Sequence, residues 1–288
     1  MATAKEWISG ARLRTLPAAV APVLVGTALA APNPQWSNAA LALLVALCLQ
    51  IGVNFSNDYS DGIRGTDKDR VGPMRLVGSS AAKAEQVLGA ALAFFMLAGI
   101  FGLILALRTS LWLILVGAIS ILAAWGYTGG KKPYGYRALG EVSVFLFFGV
   151  VAVLGTFYVQ SGKITFLAIA ISLPVGAQAC AILVLNNLRD RAKDAEAGKR
   201  TLAVLMGDRG TRIFYSALIV GSNLIGVICA ISKPWTALTA LLLPLSFYLA
   251  ATILKGAGGR DLISLLQRTA LFQLAFAILL STGFAWSS

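Results

Sequence analysis

The sequence predicts an all-α polytopic membrane protein: nine transmembrane helices around a central cavity, with the chemistry at one membrane face. Three observations carry this. The 288-residue chain is 58% hydrophobic and only 12% charged, and its mean hydropathy is +0.79, far from a soluble composition. Apolar stretches of about 17–25 residues, the length that crosses roughly 30 Å of hydrocarbon, recur along it. Two polar segments of one design, Asn54 to Asp61 and Asn186 to Asp194, close two of those stretches.

The first expected span, 16–31, carries Pro17, Pro22 and Gly26 and is the least regular. The second, 37–57, runs into the first polar segment. The third and fourth, 85–107 and 110–127, are parted by the tight turn Arg108-Thr109-Ser110. A loop at about 128–139 leads to the fifth, 140–158, and then to the sixth, 164–186, which ends in the second polar segment. Spans at 212–231, 235–254 and 268–286 complete the nine. The loops at about 58–84 and 187–211 are long and polar, and they lie four spans apart. That spacing predicts a single membrane domain over 1–288, built from four-helix pseudo-repeats at about 11–135 and 136–256 plus a ninth helix. Lys5, Arg12 and Arg14 precede the first span without a small-residue cleavage site, so no removable leader is expected.

Charge placement sets the expected orientation. Of the 24 Lys and Arg, Arg108, Lys163 and Lys233 fall in the loops of one side, which leaves 21 on the other. The richer side is cytoplasmic by the positive-inside rule. This puts the N-terminus inside and the C-terminus outside a bacterial inner (plasma) membrane. All 12 Asp and Glu share the cytoplasmic side, which the orientation rule does not require. The net charge of +12 is read as anchoring to anionic lipid together with capture of an anionic ligand, not as nucleic-acid binding. The bilayer is the expected partner, and nothing implies a protein one. Cys48, Cys180 and Cys229 stand isolated within spans and form no metal or disulfide pattern. The absence of His excludes His-based metal sites and His-dependent triads.

The carboxylates are the residues that packing explains least. Asn54/Asp58 and Asn186/Asp190 repeat one Asn-x3-Asp spacing (186 − 54 and 190 − 58 both give 132). Spacings of four and three place Asn54, Asp58 and Asp61 on one helical face, and Asn186, Asp190 and Asp194 on another. Carboxylates clustered at a helix C-terminus repel each other and the dipole, and a hard divalent cation resolves that repulsion. Two such clusters with cations around them match a diphosphate, whose oxygens bridge metal ions while Lys and Arg neutralise the rest. The expected metal is Mg²⁺, held by Asp58, Asp61, Asp190 and Asp194. Candidate cations are Arg64, Lys68, Arg70 and Arg75 in the first long loop, Lys131, Lys132 and Arg137 in the next, and Arg189, Lys199 and Arg200 around the second segment. Tyr127, Tyr134 and Tyr136 flank Lys131-Lys132. Their rings either stack on an aromatic substrate and shield a carbocation or form an interfacial belt.

Several blocks together carry a family resemblance. They are Ala11-Arg12-Leu13-Arg14-Thr15-Leu16-Pro17; Asn57-Asp58-Tyr59-x-Asp61-x3-Gly65-x-Asp67; Gly72-Pro73-x-Arg75-Leu76-Val77; Tyr127-Thr128-Gly129-Gly130 with Gly140-Glu141; and Asn186-Asn187-x-Arg189-Asp190-x3-Asp194-x3-Gly198-Lys199-Arg200. The chain resembles the UbiA-like intramembrane prenyltransferases, in particular the branch that prenylates 1,4-dihydroxy-2-naphthoate for menaquinone synthesis. The resemblance implies Mg²⁺-dependent transfer from a polyprenyl diphosphate to that aromatic acid, with loss of CO₂ and diphosphate. It implies catalytic roles for Asp58, Asp61, Asp190, Asp194 and Lys131. Substrate contacts are implied for Asn54, Asn57, Asn186, Arg64, Lys68, Arg75, Tyr127, Lys132, Tyr134, Arg137 and Arg189. One departure is visible: the family's usual third acid of the first motif falls at Gly65, and the resemblance implies Asp67, two residues on, as the further metal ligand. The alternatives are another acceptor (4-hydroxybenzoate, homogentisate or a haem) and, from a different class, a cation-coupled transporter. A transporter holds its charges near the midplane, whereas these acids gather at one edge.

Overall fold

The computed structural model describes residues 2–65 and 74–288, the side chain of Arg260 excepted. Asp67, Lys68 and Arg70, three of the candidate residues, lie outside the described residues. Among those described there is no strand beyond one isolated bridge between Arg137 and Arg200. The rest is helical because, in hydrocarbon, a helix satisfies its own backbone polar groups.

The helices are α1 Ala4–Ala11, α2 Pro17–Ala28, α3 Trp36–Ile63, α4 Ala84–Arg108 and α5 Leu113–Gly126. The next rod runs from α6 Gly140–Val144 through a π-helical stretch, Phe145–Val151, into α7 Ala152–Ser161. Then come α8 Phe166–Glu196, α9 Leu202–Ile228, α10 Leu243–Leu254 (continuing a 3₁₀ stretch, Pro234–Leu242) and α11 Arg260–Trp286. Seven of these rods are long and apolar enough to cross a membrane. An eighth would be α1 and α2 together, which are bent by 48° at their junction. The bend has a local cause: Arg12 ends α1 in the left-handed conformation, and Pro17 opens α2 where its missing N–H costs nothing. The fourth expected span shrinks to the 14 residues of α5, about 21 Å of helix, short of the roughly 30 Å core. Length and apolar character alone thus account for seven or eight of the nine expected crossings.

Two expected loops are also shorter than the polarity of the sequence predicts. α8 continues to Glu196 and α9 begins at Leu202, so the 187–211 loop reduces to a tight connection. Gly207, with φ 70°, kinks α9 just inside its start. The 255–267 loop shortens similarly, because α11 starts at Arg260.

Large apolar side chains point outward, for example Leu107, Leu122, Phe166 and Ile231, as expected of a surface solvated by lipid. Inside, one cluster joins Leu185, Tyr215, Leu249 and Phe272 across α8 to α11. A second joins Val25, Val153, Val175 and Phe276 across α2, α7, α8 and α11. The remaining helices leave a cavity of ≈ 340 Å³ among α2, α3, α5, the π-helical stretch and α8. Phe147 and Phe148 of the π-helical stretch line it, and such stretches often occur at functional sites.

Candidate active site

The cavity is apolar over most of its length and polar at one end. Arg12, Thr15, Gln50, Asn54, Asn57, Tyr127 and Asn186 line that end. The Asn side chains of both sequence segments therefore face one space, while the carboxylates sit beyond them toward the helix ends.

In the first segment, Asn54, Asp58 and Asp61 lie on one stripe of α3 and are all buried. The Asn54 Nδ2 donates to the Ala11 carbonyl at 2.9 Å and to Thr15 Oγ1 at 3.0 Å, tying α1 to α3. The carboxylate of Asp58 accepts two backbone amides, from Leu76 at 2.7 Å and Val77 at 3.1 Å. It thereby fixes the turn that carries Arg75, whose guanidinium reaches Asp61 at 3.4 Å. Asp61 also accepts a short hydrogen bond from the Tyr136 hydroxyl and lies 3.5 Å from the Lys199 ammonium. Gly65 ends α3 at φ 69°, the left-handed C-terminal position that glycine fills at least cost. A side chain with a Cβ is more strained there than glycine.

The second segment lies on α8. Asn186 faces the cavity and, among the described residues, its side chain bonds its own helix at the Ile182 carbonyl, 3.3 Å away. Asp190 takes a two-point contact from the adjacent Arg189, at 2.8 and 2.7 Å. Asp194 lies 3.8 Å from the same Lys199 ammonium that meets Asp61. The local sequence explains this convergence. Gly198, at φ 72°, is the left-handed residue of a Schellman motif: Gly198 N–H bonds the Ala195 carbonyl and Lys199 N–H bonds the Asp194 carbonyl. The chain turns back over the last turn of α8, and Lys199 returns to the side chain of Asp194.

The 127–137 loop closes the site from above. The Arg64 guanidinium donates to the carbonyls of Thr128 and Gly130, and Thr128 Oγ1 donates to Asn57 at 2.6 Å. Arg200 N–H donates to the Tyr136 carbonyl at 2.9 Å. This sets the Tyr136 ring under Lys199, 4.4 Å from ammonium to centroid, with Arg64 at 5.5 Å. Burial, followed by the Asp61 charge, raises the pKa of the Tyr136 hydroxyl, so it stays a neutral donor. Tyr127 faces the cavity, edge-on to Tyr134 at 5.7 Å. The Tyr134 hydroxyl in turn donates to the Ala123 carbonyl at 2.7 Å.

Several expected roles are redistributed. Arg64 and Arg189 are engaged with loop carbonyls and with Asp190. The side chains of Lys131, Lys132 and Arg137 are exposed and bond none of the described residues. Sequence reasoning missed Arg12, Thr15 and Gln50 at the polar end of the cavity. It also missed the buried pair in which Asn187 Nδ2 donates to Glu141 Oε1 at 2.8 Å, although an acid at the head of an apolar run was a visible signal. Lys199 stood out only as one loop cation among several, yet it links the two segments.

Among the described residues no three carboxylates or thiols form a ready metal cluster. What the site offers instead is two carboxylates, one from each segment, drawn to one cation position. Hard oxygen donors around a cation fit a hard divalent ion. Asp61 and Asp194 meet that requirement directly, while the oxygens of Asp58 and Asp190 face backbone amides and Arg189.

Comparison with known proteins agrees with this architecture. The chain is 48% identical to 1,4-dihydroxy-2-naphthoate octaprenyltransferase of Mycobacterium tuberculosis over 99% of both chains. It is 37% identical to the Escherichia coli protein of the same name over 76% of this chain and 74% of that one. Its fold matches that of a UbiA homolog from Archaeoglobus fulgidus bound to DMAPP and Mg²⁺, with a TM-score of 0.70 over 96% and 99% of the two chains at 14% identity. The model of the UbiA prenyltransferase family matches residues 19–286. The chain belongs to the UbiA prenyltransferase family, and is a multi-pass membrane prenyltransferase.

Proposed function

We propose that this enzyme transfers a polyprenyl group from its diphosphate to a ring carbon of 1,4-dihydroxy-2-naphthoate, releasing diphosphate and CO₂ and giving demethylmenaquinone. The observation that carries the reading is the placement of a long apolar cavity against a polar end where carboxylates of two motifs converge on one cation. Such a space takes a prenyl tail and leaves its charged head at the acids. The names of the curated relatives supply the acceptor.

In this reading Asp61 and Asp194, with Asp58 and Asp190 near them, hold Mg²⁺. When bound, Mg²⁺ would neutralise the diphosphate and make it a better leaving group. Arg75 and Lys199 add positive charge where the departing oxygens accumulate negative charge. The Tyr127 ring faces the allylic end of the tail and stabilises developing positive charge through its π face. Asn57 and Asn186 orient the acceptor, whose ring carbon forms the new C–C bond as the C–O bond to diphosphate breaks. Loss of the ring carboxylate as CO₂ then restores aromaticity. The apolar walls exclude water that would otherwise capture the allylic cation. The reading includes a cytoplasmic site in the inner membrane, the N-terminus inside and the C-terminus outside, nine crossings with α5 as a short one, and descent from two four-helix units.

The test is a competition. Purified protein in nanodiscs receives a polyprenyl diphosphate, Mg²⁺ and equal amounts of 1,4-dihydroxy-2-naphthoate and 4-hydroxybenzoate. Mass spectrometry is expected to find the decarboxylated naphthoate product. Prenylated benzoate as the main product would move the enzyme to another acceptor.

A further inference from the structure

The Lys199 ammonium lies 3.5 Å from Asp61, 3.8 Å from Asp194 and 4.4 Å from the centre of the Tyr136 ring. Both ion-pair distances exceed the roughly 2.7–2.9 Å of a charge-assisted hydrogen bond, so Lys199 balances the two carboxylates without being locked to either. The nearby arginines are held differently. Arg75 rides on a turn that Asp58 fixes through two amides, and Arg189 is bound at two points to Asp190. Lys199 combines a fixed root, the Schellman turn at Gly198, with a flexible four-carbon stem. It also sits where a divalent ion shared by the two motifs would have to sit.

We propose that Lys199 is an exchangeable counter-ion: it holds the two motif carboxylates together before the donor arrives, yields that position to the divalent cation, and swings to the diphosphate that the cation brings. This rests on the function proposed above and adds a step to it. Two carboxylates without a cation repel each other in a half-buried site, so the ammonium keeps α3 and the end of α8 in register. The incoming metal then competes with a built-in charge, which disfavours binding of the ion without its anionic partner. Metal and diphosphate would therefore bind cooperatively, because the displaced ammonium is favourable only once an anion is there to receive it. Removal of Lys199 thus moves two quantities in opposite directions.

The experiment compares wild type, Lys199→Met, which keeps the stem without the charge, and Lys199→Arg, which keeps the charge. Free Mn²⁺ is measured by electron paramagnetic resonance on purified protein in micelles, without and with inorganic diphosphate. Lys199→Met is expected to bind Mn²⁺ alone roughly tenfold more tightly than wild type, since the competing cation is gone. Its kcat at saturating Mg²⁺ is expected to fall by roughly two orders of magnitude, since the leaving group loses a counter-charge. Lys199→Arg is expected to restore the wild-type Mn²⁺ affinity. Equal or weaker Mn²⁺ binding by Lys199→Met, in a wild type that needs the metal, overturns the exchange. Prenyl transfer by wild type without any divalent cation would instead overturn the underlying metal reading.

Discussion

The two Asn-x3-Asp segments share a spacing but differ in what surrounds them. In the first, Asn54 and Asp58 are buried and spend their polar atoms on the main chain of other segments: Ala11, Leu76 and Val77. In the second, Asn186 bonds its own helix and Asp190 its neighbour Arg189. Both halves present Asn side chains to the cavity, but the first is bonded into the scaffold while the second stands on a single long helix. The two become alike only at their ends, where Asp61 and Asp194 meet Lys199. Identical spacing guarantees a common stripe on a helix. Depth then decides whether a carboxylate must find backbone donors or can wait for a ligand.

The largest effects are expected where the halves converge. Asp61→Ala and Asp194→Ala should each lower the rate of prenyl transfer by roughly 10³-fold, because each removes one side of the cation position at the leaving group. By thermal shift in micelles, Asp194→Ala should keep the wild-type melting temperature within a few degrees, while Asp61→Ala should also lower it, because it breaks the buried ion pair with Arg75. If one of the two retained a tenth of the activity, the convergence at Lys199 would have no catalytic meaning.

The scaffold half should dominate stability. Asp58→Asn leaves one of two backbone amides facing an NH₂ group in a buried setting, at a cost of about 2–3 kcal/mol. Asp190→Asn breaks one half of the two-point contact with Arg189, a pair only 5% and 17% exposed, at a cost of about 1.5 kcal/mol. Denaturant titration of the two variants checks the order, and equal losses would show that the segments are equivalent after all. The comparison also separates two reasons for lost activity, since Asp58→Asn acts partly by releasing the Arg75 turn.

Much of this was legible in the sequence because hydropathy and helical spacing are local. Each expected apolar span became helix, and the polar segment after Leu185 continued α8 through Asp194 as the four-residue spacing predicted. The misses came from distant partners. That Asp58 serves the amides of Leu76 and Val77, or Arg64 the carbonyls of Thr128 and Gly130, depends on which loop folds over which helix. Span number was less legible for a different reason: length and apolar character alone account for seven or eight of the nine expected crossings. Mean apolar character does not register that Arg12 bends the first rod or that α5 stops at Gly126, where the loop carrying Tyr127 must turn to close the site.

The smallest expected effect is the sharpest on the comparison. Gly65 and Gly198 each follow the last acid of their segment by four residues, and each is left-handed, at φ 69° and 72°. Replacing either by Ala forces a Cβ into that region at a cost of about 1–2 kcal/mol. At Gly198 no atom lies within 4 Å of the added Cβ, so the penalty is conformational and the chain can relax. Relaxation there rotates Lys199 away from Asp61 and Asp194, because the Schellman bond from its N–H to the Asp194 carbonyl sets its direction. Gly198→Ala should therefore lower kcat several-fold beyond its effect on stability, while Gly65→Ala should change stability alone. A matched pair of melting curves and rate measurements decides this. Equal kinetic effects at the two glycines would mean that the turns only end their helices, and that the position of Lys199 does not depend on how α8 is capped.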